Sequence, residues 1–190
     1  RLRGIGKRKS MITFGLTGSY AQCTHALSQL QVLFAEYGVV NVGKSLGKIW
    51  SHSRFRSPYV RHTLWDVGYA VDTLETAVDW NRLPDAVERI EESLRQAIPD
   101  LPVHVFTHMS HIYPQGASIY TSYIFANATS YEETLAHWKR LKAAASEAVV
   151  QSGGTISHQH GVGRDHAPYL EAEKKPLGMQ TLVMLTLVML

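Results

Sequence analysis

The sequence predicts an α+β fold in which helices cover one face of a ferredoxin-like antiparallel sheet. Apolar periodicity gives the order strand, helix, strand, helix, strand, strand, helix along most of the chain. The two consecutive strands favour antiparallel pairing, and the helices favour a two-layer sandwich. The 190 residues amount to about one domain and can bury a substantial core.

The first half of the chain predicts two strands and one long helix. The apolar run at 11–18 predicts a strand, whereas three- and four-residue apolar spacing predicts a helix over about 20–37. Residues 41–58 contain glycines, serines and a proline, so we expect an irregular basic loop there. Alternation over 68–78 predicts the second strand.

The second half predicts two helices that flank two adjacent strands. Asn81 is the predicted N-cap of the clearest helix, and Pro99 is its predicted stop. Alternating side chains predict strands over 103–112 and 117–127. A Ser-x-x-Glu capping box then begins a helix over about 131–151, and a pair of glycines ends it.

Residues 38–45, GVVNVGKS, match the G-x-x-x-x-G-K-[ST] pattern of phosphate-binding loops. Such a loop works because it joins a buried strand to a helix whose N-terminus holds the phosphates. Here the predicted helix precedes Gly38, which is typical of a left-handed helix end, and the predicted loop follows Ser45. Because no strand is predicted before this segment and no helix after it, we do not predict nucleotide hydrolysis.

The stretch between Glu36 and Asp66 has no acidic residue. A stretch of one charge sign concentrates anions, so it is either a solvated basic surface or a site for an anionic small molecule. The net charge of the whole chain is a modest +3, and we expect no nucleic-acid partner although the first ten residues are rich in arginine and lysine. The basic residues of the stretch include Lys44, Lys48, Arg54, Arg56 and Arg61.

The single cysteine and the C-terminal repeat bear on location rather than on chemistry. Cys23 lies in the first predicted helix, so we interpret it as a small core residue and expect a reducing compartment. The repeat TLVMLTLVML is only half as long as the roughly twenty residues that a membrane-spanning helix needs. We expect a cytoplasmic location, with peripheral association with a membrane as the alternative.

The stretch SGGTISHQHGVGRDHAPYL is the most unusual part of the sequence. His158 and His160 face the same way if the chain is extended, and Gly161 and Gly163 permit close approach of the backbone to a ligand. The histidines fit a zinc site, general acid–base catalysis or a hydrogen-bonded polar loop. No third metal ligand is evident nearby, which disfavours zinc.

Three ordered segments resemble motifs of one family. The segments are YVRHTLWDVGYAVDTLETAVDW (59–80), YPQGASIYTSYIFA (113–126) and GGTISHQHGVG (153–163). They resemble the C-terminal domain of FAD-linked oxidases of the vanillyl-alcohol-oxidase type, and most of all the alkylglycerone-phosphate synthase (alkyl-dihydroxyacetone-phosphate synthase) branch. The resemblance covers residues 11–182 and implies FAD as the cofactor.

The resemblance implies binding roles for four residues. Arg61 matches the family arginine that binds the anionic head group of the substrate, which suits a guanidinium because it donates paired hydrogen bonds. Thr73 stands where the family has a serine near the substrate. Gly161 and Gly163 fall in the segment beside the cofactor.

The resemblance also implies the catalytic groups. Tyr120 matches the tyrosine proposed as the acid–base group near the flavin. His158 and His160 match the first and third histidines of a family triple. Gln159 replaces the middle histidine, which keeps a hydrogen-bonding side chain but removes a group that titrates.

The implied reaction exchanges the acyl group of an acylated dihydroxyacetone phosphate for an alkyl group through an adduct at flavin N5. The alternative is a FAD-dependent oxidoreductase of a 2-hydroxy acid or a similar alcohol. Relatives of that kind hold a metal with His-x-Gly-Asp-Gly-Asn-x-His and Gly-Glu-His-Gly, whose Asp-Gly-Asn core and glutamate are missing here. His108 and His111 should face opposite sides of a strand, so no metal is predicted.

The resemblance further implies the partners. Family members carry an N-terminal FAD-binding domain with a glycine-rich pyrophosphate loop, and residues 1–190 match the C-terminal substrate, or cap, region alone. We therefore expect the FAD-binding domain of the same protein and an anionic small molecule, a phosphate or a carboxylate, as partners. A homodimer is compatible with the sequence. By itself the fragment should be inactive, and a non-catalytic interaction module is the third hypothesis.

Overall fold

The computed structural model describes residues 10–188, and the side chains up to residue 185. The chain divides between Tyr59 and Val60 into two compact units, each of which is described separately. The part of the repeat TLVMLTLVML beyond residue 188 lies outside the described residues.

The first unit is helical. Helix α1 spans Tyr20–Glu36 and begins with a capping box in which Ser19 is the N-cap. The predicted helix is confirmed to within a residue, and Gly38 has the expected left-handed backbone with φ of 63°. Cys23 is half-buried in α1.

Two predictions for the first unit are wrong. Residues 11–18 form no strand, because no neighbouring strand pairs with them, and the Phe14 ring packs on Phe34 of α1 instead. The predicted loop 41–58 is largely helical: helix α2 spans Ser45–Ser53, and a 3-10 helix spans Arg54–Tyr59. The GVVNVGKS pattern therefore precedes a helix, although the element before it is still the helix α1 rather than a strand.

The second unit is an α+β sandwich, as predicted. Its three strands form an antiparallel sheet in the order β1-β3-β2, so β3 lies in the middle. Short 3-10 turns aside, its elements are α3 (Val60–Asp66), β1 (Tyr69–Asp79), α4 (Leu83–Gln96), β2 (Val103–Ile112), β3 (Gly116–Ala126), α5 (Tyr131–Gln151) and α6 (Gly163–Val188).

Helices α4 and α5 cover one face of this sheet. The core between the layers contains Ile119, Tyr123 and Phe125 of β3 with Ile90 of α4 and Leu141 of α5, each at most 1% exposed. Directly paired residues point to the same side of a sheet, so the register defines the opposite face. We call it the polar face, and it carries Thr73, Glu75, His108, Ser118 and Tyr120.

Several boundaries in the second unit differ from the predictions. Asn81 does not cap α4, which begins at Leu83 with Pro84 in its first turn and without a side-chain cap. The helix also ends at Gln96, before Pro99. Strand β2 and helix α5 have the predicted bounds, and Ser130 caps α5 by accepting from the Glu133 N–H.

Helix α6 was not predicted. Its backbone leaves the helical region at Lys175, where φ is 59°, directly before Pro176. This break follows from the steric clash that disfavours helical geometry before proline. Within the described residues, we find no helix with the length and apolar content to span a membrane.

Candidate active site

Tyr120 lies at the centre of the polar face, on the middle strand β3. Its register partners are Glu75 on β1 and His108 on β2. The hydroxyl donates to Thr73 Oγ1 at 3.3 Å, and the ring centroid lies 5.0 Å from that of His108. The structure thus joins the predicted acid–base group and the predicted substrate-side hydroxyl by a hydrogen bond.

A buried carboxylate beside this tyrosine gathers three histidines. Glu75 is 5% exposed, and its Oε1 accepts from Ser110 Oγ at 2.6 Å. The same oxygen lies 3.2 Å from His158 Nδ1 and 3.3 Å from His111 Nδ1. The second oxygen, Oε2, lies 3.0 Å from His160 Nε2. We call these five residues the Glu75 cluster.

Hydrogen bonding keeps Glu75 ionised. Burial opposes the charge and would raise the pKa of this carboxyl, but hydrogen bonds with Ser110 and His158 outweigh burial and lower the pKa below its ordinary value. Glu75 is therefore a carboxylate at neutral pH, and a carboxylate only accepts hydrogen bonds.

The segment after α5 reaches the cluster by pairing with the outer edge of β1. The Thr155 N–H donates to the Ala77 carbonyl at 3.2 Å, and the His158 N–H donates to the Glu75 carbonyl at 3.1 Å. These two bonds lay residues 155–158 along the strand that carries Glu75. The backbone of Glu75 therefore positions His158, whose side chain contacts the Glu75 carboxylate.

The same segment is held from two further sides. Thr76 Oγ1 donates to the Thr155 carbonyl at 2.7 Å. Glu173 of α6 accepts from the Ile156 N–H at 2.6 Å and from Thr155 Oγ1 at 3.1 Å. A Cβ on Gly154 would lie 2.4 Å from Thr76 Oγ1, so this glycine is required for the close approach.

The chain is not extended through the two histidines, so the condition under which they were expected to face the same way is not met. Gln159 between them is left-handed, with φ of 64°. His158 and His160 still converge on Glu75, one on each carboxylate oxygen. A non-glycine residue with positive φ is uncommon, and such residues often occur at functional sites.

The two histidines differ in their surroundings. The His158 side chain is 15% exposed, and its Nε2 lies 3.1 Å from the Tyr113 hydroxyl. The His160 side chain is 39% exposed, and its ring meets the Tyr120 ring edge-on at 5.9 Å between centroids.

The remaining predicted residues are not members of the Glu75 cluster. Arg61 is exposed on α3, and its side chain forms no hydrogen bond or ion pair within the described part of the chain. Gly161 and Gly163 both have positive φ, 74° and 57°. A Cβ at either glycine would have no other heavy atom within 4 Å, so the backbone there is accessible.

The structure brings together three side chains that could hold a metal ion, one of which the sequence pattern did not indicate. Glu75, His111 and His158 offer one ligand atom each, all within 4.8 Å of one another, and carboxylate with imidazole is a donor set that suits zinc. The prediction that His108 and His111 face opposite sides is also wrong, because an irregularity between Met109 and Ile112 adds one residue to β2. Both histidines therefore lie on the polar face.

The comparison with known families is decisive at the level of the domain. Residues 5–185 match the family described as "FAD linked oxidases, C-terminal domain". The chain belongs to this family. The sequence-based resemblance is therefore confirmed, and FAD is the cofactor of the family to which this C-terminal domain belongs.

Several alkyldihydroxyacetonephosphate synthases resemble this FAD-linked oxidase domain. The enzyme of Dictyostelium discoideum is 28% identical over 148 residues, which are 77% of this chain and 24% of that protein. The enzyme of Trypanosoma brucei brucei is 24% identical over 164 residues, 85% of this chain and 26% of that protein. The chain thus spans about a quarter of the length of these relatives.

Solved structures of alkyldihydroxyacetonephosphate synthase share the fold. One, in space group P1, has a TM-score of 0.60 at 20% identity and covers 72% of this chain and 24% of its own. Another, in P212121, has a TM-score of 0.57 at 18% identity and covers 80% of this chain and 27% of its own. The predicted α+β class is confirmed by this likeness.

The donors of the polar face fit the ring end of FAD and an oxygen-rich substrate. Tyr120 offers a hydroxyl and His160 an imidazole, groups that donate to or accept from carbonyl and ring-nitrogen atoms. The accessible backbone at Gly161 and Gly163 adjoins them in sequence. These groups have the chemistry to hold a cofactor or a substrate.

Proposed function

We propose that this chain forms the substrate side of a FAD-dependent enzyme that exchanges the acyl group of an acylated dihydroxyacetone phosphate for an alkyl group. The observation that carries the proposal is the convergence of Tyr120, Thr73 and His160 on one polar face of a sheet. The names of the relatives support the same reaction. FAD, when bound, supplies the reactive ring on which the two substituents are exchanged.

Tyr120 moves the proton at the oxygen that leaves or attacks. Its hydroxyl donates to Thr73 Oγ1, so the proton lies on a defined side of the ring before substrate binds. The incoming alcohol must lose one proton and the departing acyl oxygen takes one if it leaves as the carboxylic acid, a transfer that a positioned phenol accelerates by roughly 100-fold to 10,000-fold.

Arg61 binds the anionic head group in this proposal. The guanidinium is exposed and has no partner among the described residues, so its donors are available to a phosphate. A hydrogen bond to a charged group contributes about 1.5–3 kcal/mol. A carboxylate substrate would use the same fork of donors.

A second function is favoured by one observation. Glu75, His111 and His158 form a donor set for a divalent metal, and a metal at this position would bind a 2-hydroxy acid through its hydroxyl and carboxylate. The chain would then belong to a FAD-dependent dehydrogenase or oxidase, with Tyr120 or His160 accepting the hydroxyl proton.

We further propose that the FAD-binding domain of the same protein holds the pyrophosphate end of the cofactor. The fourfold greater length of the relatives supports a further domain of this kind. We also propose a cytoplasmic site of action; a position at the surface of a membrane accords with the exchange reaction, whose acyl and alkyl chains are lipids.

The flavin spectrum of the intact flavoprotein distinguishes the two reactions. Anaerobic addition of an acylated dihydroxyacetone phosphate should bleach the flavin, and a labelled fatty alcohol should then enter the product. Bleaching by D-2-hydroxy acids alone, reversed by an electron acceptor, would refute the exchange reaction and support the dehydrogenase. A spectrum unaffected by either class would refute both.

A further inference from the structure

We infer that Glu75 is a positioning residue that fixes the tautomers of His158 and His160 and thereby leaves only His160 available to the substrate. The inference rests on the proposed function for its catalytic meaning. Its structural content is the geometry of the Glu75 cluster, which any reaction at this face would use. The two histidines, equivalent in the sequence, thus have different tasks.

The first step concerns the carboxylate itself. A chain of hydroxyl groups with one consistent donor direction leads to Glu75. The backbone N–H of His111 donates to Ser118 Oγ at 2.8 Å, and because the Ser110 proton goes to Glu75, the Ser118 hydroxyl is the donor in its 2.6 Å contact with Ser110 Oγ. The Ser110 hydroxyl in turn donates to Glu75 Oε1 at 2.6 Å. This order fixes the orientation of the carboxylate without using His158 or His160.

The second step concerns His158, whose two ring nitrogens both have protein partners. Because Glu75 only accepts, Nδ1 must carry the proton that it shares with Oε1 at 3.2 Å. Nε2 then has no proton in the neutral ring and accepts from the Tyr113 hydroxyl at 3.1 Å. His158 is therefore closed to substrate and holds the cluster together.

The third step concerns His160, which uses only one nitrogen. Its Nε2 lies 3.0 Å from Glu75 Oε2, and because two lone pairs would repel each other at this distance, we place the proton of the neutral ring on Nε2, so that Nδ1 retains its lone pair. Within the described residues, Nδ1 has no hydrogen-bond partner. The ring packs edge-on against Tyr120, and its side chain is more than twice as exposed as that of His158. His160 is thus the histidine that accepts a proton beside Tyr120.

The tautomers are measured directly in the intact protein labelled with nitrogen-15 at histidine. Long-range proton–nitrogen spectra should assign the Nδ1–H form to His158 and the Nε2–H form to His160. In Glu75→Gln, the amide donates where the carboxylate accepted, so at least one of the two rings should change its form. His166, whose Nδ1 lies 3.4 Å from the Gly161 carbonyl and which has no contact with Glu75, is the internal control. Unchanged forms for both rings in Glu75→Gln would overturn the inference.

Kinetics test the division of tasks. His160→Gln should lower kcat by about 100-fold or more, as expected for a lost acid–base group, and His158→Gln by about tenfold, with little change in KM for either. Glu75→Gln should cost much less in a His160→Gln background than alone, because Glu75 acts through His160. Glu75→Asp should recover part of the activity. His104 lies on strand β2 and outside the Glu75 cluster, so His104→Gln should leave kcat unchanged.

Three results would refute the positioning role of Glu75, and each can be told apart from failure of the proposed function. Full additivity of Glu75→Gln and His160→Gln would refute the positioning role, and so would a larger kcat loss in His158→Gln than in His160→Gln. Stoichiometric zinc in the purified wild type that is lost in Glu75→Gln would also refute it, because the carboxylate would then be a metal ligand. The tautomer spectra need no substrate, so failure of the acyl exchange leaves this test intact.

Discussion

Replacement of Gly154 by alanine should destabilise the protein and displace the histidines of the candidate site. Gly154 is buried where the chain turns from α5 onto the edge of β1, and a Cβ there would lie 2.4 Å from Thr76 Oγ1. Thr76 is fully buried and cannot swing away without breaking its 2.7 Å hydrogen bond to the Thr155 carbonyl.

The magnitude follows from these two contacts. Overpacking a core costs about 1–3 kcal/mol, and the lost hydrogen bond adds about 1 kcal/mol. The free energy of unfolding should therefore fall by about 2–4 kcal/mol. At roughly 2–4 °C per kcal/mol for a chain of this size, the melting temperature should fall by about 4–16 °C.

Thermal unfolding followed by circular dichroism measures this change, and turnover should fall in parallel because His158 is seated by the same segment. Gly47→Ala is the matched control. Gly47 lies inside helix α2, and the only atom that a Cβ there would meet is Thr13 Cγ2, at an ordinary contact distance of 3.6 Å. It should keep or slightly raise the melting temperature. An unchanged melting temperature in Gly154→Ala would mean that residues 154–158 do not pack on β1 as described.

Three further predictions concern other residues. Tyr120→Phe should lower kcat by roughly 100-fold or more with unchanged flavin content, because it removes only the hydroxyl; unaltered turnover would refute an acid–base role. Arg61→Lys should raise KM for the phosphate substrate about tenfold, because the lysine ammonium cannot donate the two parallel hydrogen bonds of a guanidinium. An unchanged KM would argue against head-group binding. Burial opposes the charge of Asp72 and would raise its pKa, but the interactions with Lys142 and Trp138 outweigh burial and lower the pKa below the ordinary 3.8. A lowered pKa stabilises the fold fully above about pH 4 and progressively less as the pH falls through the folded-state value. Asp72→Asn should therefore weaken the acid dependence of urea unfolding, and an identical dependence would contradict this assignment.

Much of the second unit could be predicted because its signals are local. Alternation along β2 and the capping serine of α5 are visible in a few neighbouring residues, and both elements have the predicted bounds. The strand at 11–18 was predicted from the same kind of pattern, but a strand also needs a partner, which a local pattern does not reveal. Helix α2 was missed because a single internal glycine and several serines were given too much weight against Leu46, Ile49 and Trp50.

The candidate site could be predicted only in part. The resemblance supplied Tyr120, His158 and His160, and the structure brings these three together with Thr73. Glu75 was missed because its partners lie 35 or more residues away in sequence, on another strand and on a distant loop. The sequence did contain one indication: Glu75 lies two residues after Thr73 and so faces the same side of β1. The register then places Glu75 directly opposite Tyr120.

The extra residue in β2 also affects how this strand should be compared with relatives. Before Met109, even-numbered side chains lie on the polar face; after it, the register shifts by one and His111 joins them. Deleting Ser110 would restore simple alternation and leave His111 on the polar face, opposite Ser118, whereas losing the irregularity without a deletion would turn His111 toward the helices. A relative that lacks the extra residue therefore has to be aligned with a gap before His111; a gap placed after Ile112 would compare His111 with a residue on the opposite face of its strand, even where the flanking sequences agree.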